Sequence, residues 1–209
     1  GQNGSEGDNG TGAKRNTYTG SFSWSQIINP RLQVAFLTDI VQQSAYLSLP
    51  FYRVYFSDGS VKQEHLPDRR FKWPIGIRGS YFLGDNIILR GYYRYYSDSW
   101  GLHSHTASIE VPVKINPFFS VSPFYRFYKQ TGLKYFKPYG EHNLQDTYYT
   151  SNFDLSTFNS NFLGAGLRWT PVKGIFGIQR LSTAELRYGH YTKNIQMSAN
   201  SIALHLTFK

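Results

Sequence analysis

From Ile87 to Ile115 the side chains change character at every second position. Ile87, Leu89, Tyr93 and Tyr95 are apolar or aromatic, and Arg90, Tyr92 and Arg94 lie between them. The next segment repeats the pattern, with Ala107, Ile109, Val111, Val113 and Ile115 interleaved with Thr106, Ser108, Glu110 and Lys114. A period of two is that of a β-strand. One apolar face and one charged face place such a strand between two different solvents. Repeated along the chain with no helical period, this predicts an all-β fold: an antiparallel transmembrane β-barrel, lipid outside and a polar lumen inside.

The same reading gives nine strands, at about 17–28, 31–48, 70–83, 87–98, 103–115, 118–132, 157–170, 182–194 and 200–209. Asn29-Pro30, Gly84-Asp85-Asn86 and Asn116-Pro117 punctuate them as tight turns. Connections near 49–69 and 133–156 are long and polar. Short turns at one end and long loops at the other match periplasmic turns and extracellular loops. Pro74, Pro112 and Pro123 fall inside strands, where a missing N–H predicts bulges. Trp24 and Trp169 fall near the turn end, Trp73 and Trp100 near the loop end, which predicts two aromatic belts. Residues 1–16, rich in Gly, Asn, Asp and Ser, read as a flexible extracellular loop or tail without the features of a signal peptide. A complete single-chain barrel has an even strand count with both termini in the periplasm. Nine strands therefore predict the C-terminal portion of a larger barrel, completed by an upstream segment. The final Leu-His-Leu-Thr-Phe-Lys resembles the C-terminal aromatic signal of outer-membrane barrels, displaced by one residue.

Composition refines this picture. A net charge of +9 admits a nucleic-acid partner, but the Lys and Arg are scattered singly, and none is expected. Aromatics reach 18%, and Tyr suits both membrane interfaces and polar lumens. Cysteine is absent, which fits an oxidising compartment or export in an unfolded state. A mean hydropathy of −0.43 does not oppose a membrane location, because only alternate residues of a barrel strand face lipid.

The inward face is expected to carry Arg78, Arg90, Arg94, Arg126, Arg168 and Arg187, with Lys72 and Lys114, against Asp39, Glu110 and Glu185. Glu110 is expected close to Arg126 across the Asn116 turn. Such a set either attracts anions into a pore or forms an ion-pair network that fills a closed barrel, with Tyr92, Tyr96, Tyr128 and Tyr191 taking up space. His103-Ser104-His105 offers a hydrolase histidine or two metal ligands, but no orienting acid or third ligand is identifiable, and no catalytic or metal residue is assigned. His142 beside Glu141 has the same standing, and His65, His190 and His205 receive no role. The long loops hold Phe51, Tyr52, Tyr55 and Phe56, and Tyr135, Phe136, Tyr139, Tyr148 and Tyr149. These either mark a partner contact or fold over the barrel mouth and bury one another.

Several segments resemble a family of Bacteroidota outer-membrane proteins known only as a domain of unknown function. They are Tyr92 to Gly101, Ser104-His105-Thr106, Pro123 to Thr131, Tyr135 to His142, Tyr149 to Ser151 and Leu186 to Gly189, with Ser25 to Arg31 and Leu49 to Phe56 upstream. The resemblance covers nearly all of 17–209 and implies an outer-membrane barrel longer than this chain. It brings no activity, catalytic residue or cofactor. The genetic surroundings of the family, a thioredoxin-like protein, a small lipoprotein and a flavin transferase, imply an envelope redox or maturation partner.

The expectation is an outer-membrane protein, not an enzyme, that serves as a structural or scaffold subunit of a cell-envelope complex. Its partners are outer-membrane lipid and lipopolysaccharide, the upstream fragment of the barrel, and envelope proteins reached through the loops. A small-solute, anion-preferring channel is the alternative. A hydrolase built on the His103 region and a soluble lipocalin-like barrel are the more distant readings.

Overall fold

The computed structural model describes residues 16–44 and 52–209. The expected tail at 1–16 falls outside these but for Asn16, as do Leu49 to Phe51. Twelve strands follow: β1 Asn16–Asn29, β2 Leu32–Ser44, β3 Arg53–Tyr55, β4 Val61–Gln63, β5 Arg69–Leu83, β6 Ile87–Asp98, β7 His103–Glu110, β8 Val113–Asn116, β9 Phe119–Thr131, β10 Phe158–Trp169, β11 Leu181–Lys193 and β12 Met197–Phe208. A single 3-10 turn, Phe153–Leu155, is the only helical element among the described residues.

All but β3 and β4 form one antiparallel sheet in the order β1-β2-β5-β6-β7-β9-β10-β11-β12, with β8 beside β6 and β9. β7 and β8 are one crossing. Glu110 faces Arg90 and Phe124, and Val113 faces Ile87 and Val121, with no change of register on either side. The ladder breaks only at Pro112, whose carbonyl still accepts from Ile88 N–H at 3.0 Å. Nine strands thus cross. The bulges expected at Pro74, Pro112 and Pro123 do not form, because each proline loses one donor and keeps its carbonyl bonded. Pro123 accepts from Val111 N–H at 2.9 Å and Pro74 from the Thr38 hydroxyl at 3.1 Å. The register shifts among the described strands lie elsewhere, at 27–29, 114–116 and 181–183.

Residues opposite each other in an antiparallel pair share a face, so the register sorts every strand side chain. One face, from Phe22, Trp24 and Phe36 through Ile77, Ile109 and Leu163 to Leu204, is apolar and largely solvent-accessible. It carries no Asp or Glu in the described strands, and its charged residues are Arg69 and Lys129 alone. The other face holds the remaining strand charges. Exposed apolar area on this scale is stable in lipid and not in water.

The apolar band runs obliquely to the strands. Its loop-end limit moves from Tyr18 in β1 to Phe71 in β5, Tyr95 in β6, Phe127 in β9, Leu163 in β10 and Ile202 in β12. By register, Ile202 shares a row with Tyr188, Ala165, Pro123, Leu89, Tyr81 and Leu32, and Leu32 is the turn-end residue of β2. From β1 to β12 the limit drops by about ten residues, or about 34 Å, over eight spacings of about 4.8 Å, a slope of about 40°. That is the strand tilt of a membrane barrel. Along β1 the band from Tyr18 to Ile28 spans about 34 Å of strand, about 26 Å once tilted, which is the height of a barrel's lipid-facing zone.

Trp24, Trp73 and Trp169 are on this outward face, 49%, 48% and 39% exposed. Trp100 is not. It is buried with Leu66, Leu102 and Leu133, donates from Nε1 to the Arg69 carbonyl at 2.9 Å, and lies under the Arg70 guanidinium. The best-packed part of the molecule is therefore the loop end. There the β3–β4 hairpin, the 99–102 turn and the 132–157 segment close into one cap. Phe56 and His142, and His65 and Tyr149, form backbone bridges between the segments, and Phe136 and Thr150 one within the last. The loop aromatics pack on one another, as in Phe56–Tyr149 at 4.9 Å and Tyr135–Tyr148 at 5.4 Å, and Tyr52 and Tyr139 stay exposed.

Candidate functional site

The sheet curls about its charged face. Arg187 on β11 donates to Glu110 on β7 at 3.0 Å across the intervening β9 and β10. Flat, those two strands would stand about 14 Å apart. The curl makes a hollow of about 290 Å³ lined by Arg78, Arg90, Tyr92, Ser108, Glu110, Phe124, Arg126, Phe162 and Arg187, from six strand crossings. It shares Tyr92, Ser108 and Arg126 with a hollow of about 560 Å³ nearer the loops, and Arg78 with one of about 370 Å³ nearer the turns. A further hollow of about 370 Å³ shares Tyr92 and Arg94 and reaches Asp39 and Ser21. Together they form a continuous trough along the strands.

Its unpaired charges are mostly positive, with Asp39 the one strand carboxylate on this face that has no ion pair among the described residues. Glu110 and Glu185 both accept from Arg187, at 3.0 and 3.3 Å, and Asp98 is held by Arg70, whose Nε donates at 2.9 Å. Arg78, Arg90, Arg94, Arg126 and Arg168 have no ion pair among the described residues. Glu110 does not pair with Arg126. The register sets Phe124 opposite Glu110 and Ser108 opposite Arg126, and the curl brings Arg187 to Glu110 first. Arg168 stands opposite Glu185, whose carboxylate is also taken by Arg187. Lys114 shares this face.

Aromatic rings support the guanidinium groups. Arg187 lies over Phe124 at 4.7 Å, Phe124 packs on Phe162 at 5.3 Å, and Arg126 lies over Phe162 at 5.1 Å. The rings fit because β10 and β11 have glycines beneath them. A Cβ on Gly189 would stand 2.3 Å from Phe162, and one on Gly164 2.7 Å from Phe124. The sequence reading missed these notches, although the Gly-x-Gly at 164–166 in an otherwise alternating strand signals a close approach.

At its loop end the trough meets the cap. Gln130 donates from Nε2 to the carbonyls of Asp154 and Ser156, at 2.9 and 2.7 Å, and Lys193 pairs with Asp154 at 3.5 Å. The 153–156 turn is thereby pinned over the mouth. A second lock lies within the cap. His142, fully buried, shares the Asp146 carboxylate with Lys137 and bonds the Thr150 carbonyl through Nε2 at 2.8 Å. Lys137 first, then His142, hold the Asp146 carboxyl down to about 2. Buried Glu64 accepts from the Thr150 hydroxyl at 2.7 Å. His103 and His105 lie on the outward face, bonded to Tyr95 and Tyr93. His205 stands opposite Glu185 on the trough face.

A curled antiparallel sheet with an oblique apolar exterior and a charged interior defines the wall of an outer-membrane-type β-barrel. The solved outer membrane channel DcaP of Acinetobacter baumannii has this fold, with a TM-score of 0.55 at 11% identity over 95% of this chain and 54% of that one. The chain thus spans about half the length of that channel. It belongs to the family DUF3570, a protein family of unknown function, which it matches over residues 4–202. No curated protein matches it.

Proposed function

We propose that this protein is an outer-membrane barrel whose trough is a passage for small anions. The observation that carries this is the row of guanidinium groups without carboxylate partners along a continuous hollow. An ion-pair network built to fill a closed lumen would neutralise itself, whereas unpaired Arg groups in a narrow aqueous passage lower the cost of an anion and raise that of a cation. The Tyr92 hydroxyl can replace part of an anion's water, whereas those of Tyr96 and Tyr128 already donate to Asp98 and Gln130. The pinned 153–156 turn narrows the mouth. Among the described residues β1 and β12 each pair on one side only, so in this reading further strands of the same barrel cover their other edges, since unpaired backbone groups are costly in lipid. In this reading the long loops face outward and no side chain acts catalytically.

The test is the reversal potential of the full-length protein in a planar bilayer under a KCl gradient. We expect anion preference, and expect the combined Arg90→Gln, Arg94→Gln and Arg126→Gln variant to lose most of it. A silent bilayer, or a reversal potential untouched by the three changes, sinks the proposal. Silence would favour the second reading, a scaffold subunit. Its support is the hydrogen-bonded cap, which displays Tyr139 at 71% and Tyr52 at 41% exposure for a partner from the envelope.

A further inference from the structure

Just past the apolar band, on the outward face, is a polar patch that the passage does not use. Tyr95, His105, Lys129 and Asn159 form one register row across β6, β7, β9 and β10, and His103 lies one step nearer the loops, opposite Thr131. The row begins immediately beyond Ala107 and Phe127, the last apolar outward residues of their strands.

Both imidazoles are held by neighbours. The Tyr93 hydroxyl bonds His105 Nδ1, and the Tyr95 hydroxyl bonds His103 Nδ1 at 3.2 Å. The Tyr95 and His103 rings are stacked at 6.3 Å and 14°. In the tautomer in which Nδ1 accepts from tyrosine, Nε2 carries the ring hydrogen and can donate it outward. Neither Nε2 has a partner among the described residues, and neither does the Lys129 ammonium. No carboxylate stands on this face to neutralise them.

An uncompensated ammonium is expelled from lipid tails but stabilised among anionic headgroups. Opposed positions on paired strands have Cβ atoms about 5 Å apart, so one tetrahedral phosphate can accept from both. We propose that His103, His105 and Lys129 bind the phosphate of a glycolipid in the outer leaflet. Tyr93 and Tyr95 position the rings, and the band below receives the acyl chains. The proposal rests on the outer-membrane reading with the loops outside.

Native mass spectrometry of the full-length protein in detergent tests it. The probes are a bisphosphorylated hexa-acyl glycolipid, the same glycolipid without phosphate, phosphatidylglycerol and inorganic phosphate. Wild type should retain the phosphorylated glycolipid over the dephosphorylated one by about tenfold. The single variants Lys129→Gln and His105→Gln, checked for folding by heat-modifiable gel migration, should each lose most of that margin. Equal retention of both glycolipids, or unchanged retention by both variants, overturns the site. Equal capture of inorganic phosphate or phosphatidylglycerol overturns the assignment to a glycolipid. A separate arm mixes the protein with phosphatidylcholine vesicles. Failure to insert overturns the membrane reading as well, whereas insertion with equal retention overturns this site alone.

Discussion

Gly189 shows how a single missing side chain organises the interior. Its Cβ position lies 2.3 Å from the Phe162 ring, so only glycine lets that ring lie flat on β11 and receive Arg126 on its other face. A methyl here must move the ring, and with it Phe124 and the two guanidinium groups. Gly189→Ala is expected to cost about 1–3 kcal/mol through overpacking. Gly91→Ala, with nothing within 4 Å, is the matched control and should be nearly neutral. Urea unfolding of the two variants in detergent distinguishes them, and equal midpoints would refute the notch. Little of this was legible beforehand. The Arg residues stand out in an alternating strand, but their partners depend on which strand curls over which. That is why Glu110 was matched with its hairpin neighbour Arg126 and not with Arg187, 77 positions away.

Among the elements, the nine crossings were legible because each is long and has a solvent contrast across it. β3 and β4 were not, since three-residue strands inside a polar connection are too short to show a period. Trp100 was misplaced for a related reason. Position near the loop end fits a belt, but the indole is claimed from within the cap by Arg69, Arg70 and Leu133. The prolines mislead by composition, since each costs one hydrogen bond and leaves the register intact. The cap also predicts a pH effect. The Asp146 carboxyl is held near 2 in the fold, well below the 3.8 of a free aspartate side chain. A depressed carboxyl contributes its stability above the unfolded value, and that contribution fades as pH falls through the folded one. Amide protection factors across 137–150, taken relative to the intrinsic exchange rate at each pH, should therefore be steady above pH 4 and fall between about 4 and 2. Asp146→Asn should show the lower protection already at pH 6 and lack this step. Parallel profiles for the two proteins would remove the lock.

At the scale of the whole molecule, the oblique band makes a demand that a water-exposed sheet would not. Leu167 lies within the band on β10, and Asn159 lies beyond its loop-end limit on the same strand and face. Leu167→Arg should destabilise the inserted barrel by about 2–4 kcal/mol and Asn159→Arg by about 0–1. Both are strand positions open to the surroundings, so a sheet in water would tolerate the two alike. Reversible folding into vesicles reads the difference.

The cap carries a further consequence, one of molecular recognition. Three stretches far apart in the chain, near 52–66, 99–102 and 132–157, meet there around Trp100 and His142. The face they present is a discontinuous epitope. With the loops outside, an antibody that meets this end is expected to touch more than one of them, so a linear peptide cut from any one should compete poorly with the folded surface.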